Sequence, residues 1–495
     1  QVSGQYRQRM DKLSADAEAA ADVLNALRGE VARKKANKIR QAKAWKQALF
    51  DMKQYRDIRG NENLAKGAES LLAKDLNAKH ADVETTQRVW ERKLTSKISE
   101  VLGTFRRNLV GETRKKATQE DMLLEILGRD TGNQSAKEMA QAVSSAFEYA
   151  RKAFNSYGGS IGKIDNYFPV RHAMTKIRSV DYEVWRDEVL KRLDIDNMID
   201  GKTGLKFNRE TIESALNDMY ASITTNGMNK LNPGGGARGR SLANSRMDSR
   251  FLKWKSPEDF LEYHNKFGEG EIFDVIVGHM SSMARDIALM ERLGPNPRST
   301  LSFLQQSIKK DAALKKDPKL ENAANVSSER LNDYYDHITG RFNAPVDARL
   351  ASSMAGIRQL LQSAQLGSAS LAAVSDIGFQ RIARQTSGLP QMKIIGQILR
   401  YMAPLGQEER GKLAIRLGLI ADGWSTIAAA QARYVGDVTG PEMTRRVSDF
   451  VMRASLLSPW TSAGRWSFGM EFLGFMADNV GKTFDQLPKE LRATM

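Results

Sequence analysis

The chain has 495 residues, 41% of them hydrophobic and 27% charged, which is enough apolar material for buried cores and too little bias for disorder throughout. Its 75 Lys and Arg against 59 Asp and Glu leave a formal charge of +16, a balance that draws nucleic acid or anionic lipid and is silent on fold. Cysteine is absent, which excludes disulfide scaffolds, Cys-ligated zinc, iron–sulfur clusters and thiol nucleophiles. The five His, at 80, 172, 264, 279 and 337, are too far apart for a His-x-x-x-His metal site. No metal and no cofactor are expected.

Length alone suggests about three domains. The chain opens on Gln1 rather than Met, as in a processed protein or a segment of a longer one. No signal peptide is visible, and no run of about 18 apolar residues predicts a standard transmembrane helix.

Residues 1–130 hold no Pro. Met10, Leu13, Ala17, Ala20, Leu24, Leu27 and Val31 recur at strict 3-4 spacing, the seam of a coiled coil or a long packed helix. Lys34, Lys38 and Gln41 interrupt the seam, which resumes in phase at Trp45, Ala48, Met52 and Tyr55. One helix over about 6–59 is predicted, interrupted only by Gly29. Its polar middle is either solvated or turned toward something anionic. We take Met10, Leu13, Leu24, Leu27, Val31, Trp45 and Met52 as candidate self-association residues.

A turn at Gly60–Asn63 precedes a second long helical stretch to about Gly128, with Trp90, Leu94, Ile98, Val101, Leu102, Phe105 and Leu109 on one face. Glu120–Leu127 adds an amphipathic piece, and 134–157 is a further helix. From 158 to about 345, Gly- and Pro-rich punctuation predicts a loop-rich domain of short helices. Within it, Ser256-Pro257-Glu258-Asp259 has the chemistry of a helix start. Beyond 346, residues rich in Ala, Gly and Ser suit a tight bundle, followed by an aromatic tail. The expected architecture is all-α and elongated: a basic rod (1–157), a loop-rich helical domain (158–345) and a small-residue bundle (346–495).

Most catalytic patterns fail on inspection. Gly481-Lys482-Thr483 lacks the Gly that a phosphate-binding loop needs at 476, where Met476 stands. Asp196–Phe207 lacks a calcium loop's terminal Glu. A lytic transglycosylase motif and a serine nucleophile elbow are both missing. An enzymatic site at His172, His264 and His279 is the remaining rival in that class.

The basic clusters survive. Arg33, Lys34, Lys35, Lys38 and Arg40 crowd two helical turns, and Arg106, Arg107, Arg114, Lys115 and Lys116 form a second group. Arg238 and Arg240 belong to a third, in a Gly-rich loop. Residues 1–120 hold 26 Lys and Arg against 16 Asp and Glu. Such clusters suit salt-dependent, sequence-independent phosphate contact. No recognition helix, zinc finger or RNA-binding sheet accompanies them. A merely solvated surface is the plainer alternative.

The segment Asp165-Asn166-Tyr167-Phe168-Pro169-Val170-Arg171-His172, and the run Ile357–Asp376, resemble segments of the internal virion (ejection or inner-core) proteins of short-tailed phages and related phage polyvalent proteins. The resemblance covers roughly residues 160–390. Pro169 forces Phe168 extended, so the first segment is expected to be a structured bend. The resemblance implies a protein packaged inside the virion around the portal; some such proteins carry a lytic transglycosylase domain, whose motif is missing here, so no enzyme activity is expected. It would leave ahead of the genome and reassemble into an oligomeric conduit across the host periplasm and inner membrane. Implied partners are further copies of the chain, other phage core and portal proteins, phage DNA and inner-membrane lipid. The rival reading is a packaged, non-specific DNA-binding or capsid scaffold protein.

Overall fold

The structure is a computed structural model that describes residues 2–104, 115–198, 206–224, 242–244, 252–339, 381–385 and parts of 467–492. Among these the chain is all-α, and its extended pairing is limited to three isolated bridges. The first helix, α1 (Val2–Gln54), has 53 residues and so is about 80 Å long. It runs through Gly29, around which no atom lies within 4 Å of an added Cβ.

The second long helical stretch expected to about Gly128 is corrected: it is not one long run. The chain breaks there into α2 (Leu64–Glu69), α3 (Val83–Lys97), α4 (Ser99–Thr104) and α5 (Lys116–Ile126). Local caps start α2 and α3. Asn63 accepts from the Lys66 amide, and Asp82 accepts from the Thr85 amide at 2.6 Å, each satisfying an orphan donor of a new helix. Trp90, Leu94, Ile98 and Val101 are buried as expected. The Leu102 side chain, Phe105 and Leu109 lie outside the described residues.

α6 (Gln134–Ser156) matches its predicted span. Three short helices follow, α7 (Met174–Arg178), α8 (Tyr182–Arg192) and α9 (Arg209–Thr224). α10 (Pro257–Phe267) starts as the sequence predicts, with Ser256 Oγ accepting from the Asp259 amide at 3.1 Å. The helices after it are long, not short: α11 (Ile272–Leu293), α12 (Pro297–Lys315) and α13 (Pro318–Thr339).

α11 is the centre of the body. Eighteen of its 22 residues are buried, so it is a core helix, reaching solvent only through Glu291 and the half-buried Ser282, Arg285 and Arg292. α3 lies along it most extensively, and α6, α1, α12 and α5 complete the cover. The boundary expected at 157 therefore does not divide two units. Met52, Leu94, Phe147, Phe168, Ile276 and Leu304 belong to one continuous core. A smaller second core gathers Ile177, Trp185, Val189, Leu216, Tyr263 and Phe267. Apart from residues 381–385 and scattered positions in 467–492, the expected bundle over 346–495 lies outside the described residues.

Among the described side chains of α1, those from Asn37 onward anchor it to this body. Asn37 donates to the Gly158 carbonyl at 2.8 Å, and Gln41 donates to Thr300 Oγ1 at 2.6 Å and accepts from the Asn296 amide at 2.8 Å. Trp45 stacks on Phe303 with centroids 5.2 Å apart, and the buried Asp51 meets Arg292 at 3.1 Å. α2 crosses beneath at Gly67, where an added Cβ would run into the Met52 carbonyl.

These two glycines predict opposite outcomes in urea unfolding. Gly29→Ala should raise stability by about 1 kcal/mol, the helix-propensity difference. Gly67→Ala should lower it by about 1–3 kcal/mol, because the obstacle is backbone and cannot rotate away.

Candidate functional site

The candidate site is the outward side of α1. From Arg28 to Lys53 the helix carries nine Lys and Arg against Glu30 and Asp51. Asp51 is turned inward to Arg292, and Glu30 pairs with Lys34 at 2.7 Å. Lys34, Lys35, Lys38 and Arg40 are exposed and Arg33 is half-buried. Arg40 donates to Asn37 Oδ1 at 3.2 Å, which steadies the amide that anchors the helix. The face extends further than the sequence reading placed it. Lys35, Ile39, Lys43, Lys46, Phe50 and Lys53 are all exposed and, at spacings of three and four, form one line away from the body. Because Asn37, Gln41, Ala48 and Met52 turn to the body, these cations necessarily turn to solvent.

The other basic clusters are only partly placed. Lys115 and Lys116 are exposed at the start of α5. Arg106, Arg107, Arg114, Arg238 and Arg240 lie outside the described residues.

The self-association set divides. Leu27 and Val31 are 53% and 65% exposed. Trp45 and Met52 correct the expectation, since they are spent inside the chain, Trp45 on Phe303 and Met52 in the core at 0% exposure. The side chains of Met10, Leu13 and Leu24 lie outside the described residues. The polar middle of α1 is neither simply solvated nor turned wholly to an anion: Asn37 and Gln41 face the α6, α11 and α12 ends, while Lys34 and Lys38 face solvent.

The rival site at the histidines is built differently. Residues 165–173 form the expected bend, with Asn166 at φ +54°. They then run extended against the end of α10: the Ala173 amide donates to the Phe267 carbonyl at 2.8 Å and the Glu269 amide to the Arg171 carbonyl at 3.1 Å. Gly268 fits this clip because a Cβ there would strike the His264 ring. Phe168 packs perpendicular to Phe260 in the main core, while His172 Nδ1 shares a 2.8 Å hydrogen bond with the Tyr263 hydroxyl in the second. Trp185 Nε1 donates to that hydroxyl at 3.4 Å. His279 stands apart, against Phe147 and Tyr167.

Burial, with the nearby His264 charge, holds His172 down to about 4. Burial and Lys176 hold His264 down to about 4, against a smaller lift from the Gly270 backbone. Burial pushes the Tyr263 phenol up. At neutral pH both imidazoles are neutral and the phenol keeps its proton, so this group serves as a polar pin between the two cores. Among the described residues no group of three or more His, Asp or Glu could hold a metal ion. No described helix is long and apolar enough to cross a membrane.

The architecture is that of an all-α body with a long basic helix carried on one side. No family model, curated protein or solved structure matches the chain.

The two buried imidazoles make stability pH-dependent. Their folded values lie below the ordinary 6.5, so between about 4 and 6.5 the unfolded chain holds the extra protons. Stability should be full above pH 6.5 and fall as pH drops toward 4, by up to roughly 2–3 kcal/mol per ring. Urea midpoints at pH 7.5 and 5.0 measure this, and the H172Q/H264Q chain should lose most of the difference.

Proposed function

We propose that the chain is an internal virion (ejection) protein of a phage, non-enzymatic, which assembles with further copies into an oligomeric conduit for genome delivery across the host cell envelope. The observation that carries the reading is the exposed basic line of α1, on a helix whose opposite side is anchored to the body from Asn37 onward. A conduit needs contact with DNA that is attractive, unspecific and easily exchanged. Lysines on a solvated helix provide that, because each phosphate contact is a counterion exchange without base readout. The Asp165–His172 segment carries the resemblance to ejection proteins, and its role as a clip between two cores suits a structural protein. On this reading the chain resides in the virion interior around the portal, with other core and portal proteins. After ejection it lies in the host periplasm and at the inner membrane.

The second reading, a packaged DNA-binding or scaffold protein that never leaves the particle, draws on the same basic line. Liposomes separate the two. Purified oligomers that float with liposomes and release dye at both low and high salt support the conduit. Protein that binds DNA at low salt and ignores liposomes supports the packaged scaffold.

Both readings share one prediction. Duplex binding of random sequence should weaken linearly on a log–log plot against salt. The K38E/K43E/K46E chain should lose affinity and flatten that slope by up to about 3, at about 0.9 per phosphate contact. Fluorescence anisotropy across a salt series reads both. An unchanged slope would remove α1 as the nucleic-acid interface.

A further inference from the structure

The seam of α1 changes partners along its length. At Trp45, Ala48, Met52 and Tyr55 the body of the same chain covers it. At Leu27 and Val31, in the same heptad phase, it is open to solvent. The sequence continues the pattern back through Leu24, Ala20, Ala17, Leu13 and Met10, three heptads with nothing in their spacing to distinguish them from the covered part.

We propose that the stretch from Met10 to Val31, open at Leu27 and Val31, pairs, antiparallel, with the same stretch of a second copy of the chain; the proposal rests on the reading above that copies associate. The orientation follows from where the body sits. It lies on the seam side of α1 from Asn37 onward. In a parallel pair the two seams would face each other up to Lys34, with axes about 8–10 Å apart. Both bodies would then have to fill the same space a turn later. In an antiparallel pair the bodies sit at opposite ends, and each partner helix continues the cover that the body begins.

The sequence provides a matching register. With Ala17 opposite Ala20 of the second copy, Leu13 meets Leu24 and Met10 meets Leu27, so large positions meet large ones and small meet small. Glu30 falls beside Arg9, an attraction, and Arg28 beside Arg7, a repulsion. The apolar layers therefore set the register, and the flanking charges nearly cancel. Lys34 and Lys38 mark the end of the pairing, where the polar side chains Asn37 and Gln41 hand the seam to the body.

The chain contains no cysteine, so introduced thiols report cleanly. The full-length chain should sediment as an even-numbered oligomer. L27E/V31E should raise its dissociation constant about 100-fold or more, since four large side chains per pair lose their cover. Helix content by circular dichroism should hold, because both positions are exposed in the single chain. On oxidation, a mixture of M10C and L27C chains should give the cross-linked dimer, and L27C alone should not. A monomer at about 100 μM, a dimer that L27E/V31E leaves intact, or efficient cross-linking of L27C to itself would each overturn the proposal. The two readings fail separately: L27E/V31E monomers that keep salt-dependent DNA binding remove the pairing and leave the nucleic-acid interface standing.

Discussion

The described structure depends on α11 being buried along nearly its whole length. A helix in that position must be largely apolar, and each buried polar group it carries must find a partner inside. Ser281 donates to the buried Glu91 at 2.7 Å, and the adjacent Arg285 and Asp286 pair at 2.7 Å. The Phe273 amide at its start donates to Gln119 Oε1 at 3.0 Å. At its other end Arg292 reaches Asp51. These contacts bring α3, α5 and α1 to one helix from separate parts of the chain. They are also the reason that residues before and after 157 share a core. A buried network of this kind does more to specify which helices meet than to add stability, since each ion must first be stripped of water.

A second layer of constraint comes from the Tyr167–Ala173 segment. It is too short and too extended to make a core of its own, so it borrows from two. Phe168 enters the main core and His172 enters the second, while the backbone between them is hydrogen-bonded to the end of α10. The segment therefore sets the position of α7–α9 relative to the α11 body. The buried imidazoles are strongly shifted, a property often associated with active sites. Here the shift comes from burial inside a junction, and both rings are turned to packing partners.

Much of the helical content was legible in the sequence, because a 3.6-residue period shows wherever one face is apolar. α1, α6 and the start of α10 are the clearest cases. The breaks between α2, α3 and α4 were not legible from periodicity: Asp82 caps α3, and α3 ends at Lys97, without disturbing the spacing of Trp90, Leu94 and Ile98. α11 was missed for a different reason: the Gly- and Pro-rich punctuation across 158–345 favoured a reading of short helices. The expected boundary at 157 failed with it, because Gly158 and Gly159 end a helix but do not end a core. At the candidate site, Arg33–Arg40 stood out as a run, whereas Lys43, Lys46 and Lys53 share the same face at wider spacing. Only the direction in which the body lies shows that they form one line.

The polar interruption in the α1 seam is what joins fold to function. A coiled-coil pattern that continued unbroken from Met10 to Tyr55 would not distinguish its own body from another copy, and either could slide along it. Asn37 and Gln41 prevent that. Their hydrogen bonds to Gly158, Asn296 and Thr300 can form only in one register, and leaving those buried groups unmatched costs about 1–3 kcal/mol each. The body is therefore locked to one end of the helix. That lock fixes which side of α1 is covered, and so fixes the line of lysines on the side that stays open. The cationic surface is in this sense a consequence of helix packing: once Gln41 and Met52 are turned inward, Lys43, Lys46 and Lys53 have nowhere to point but outward.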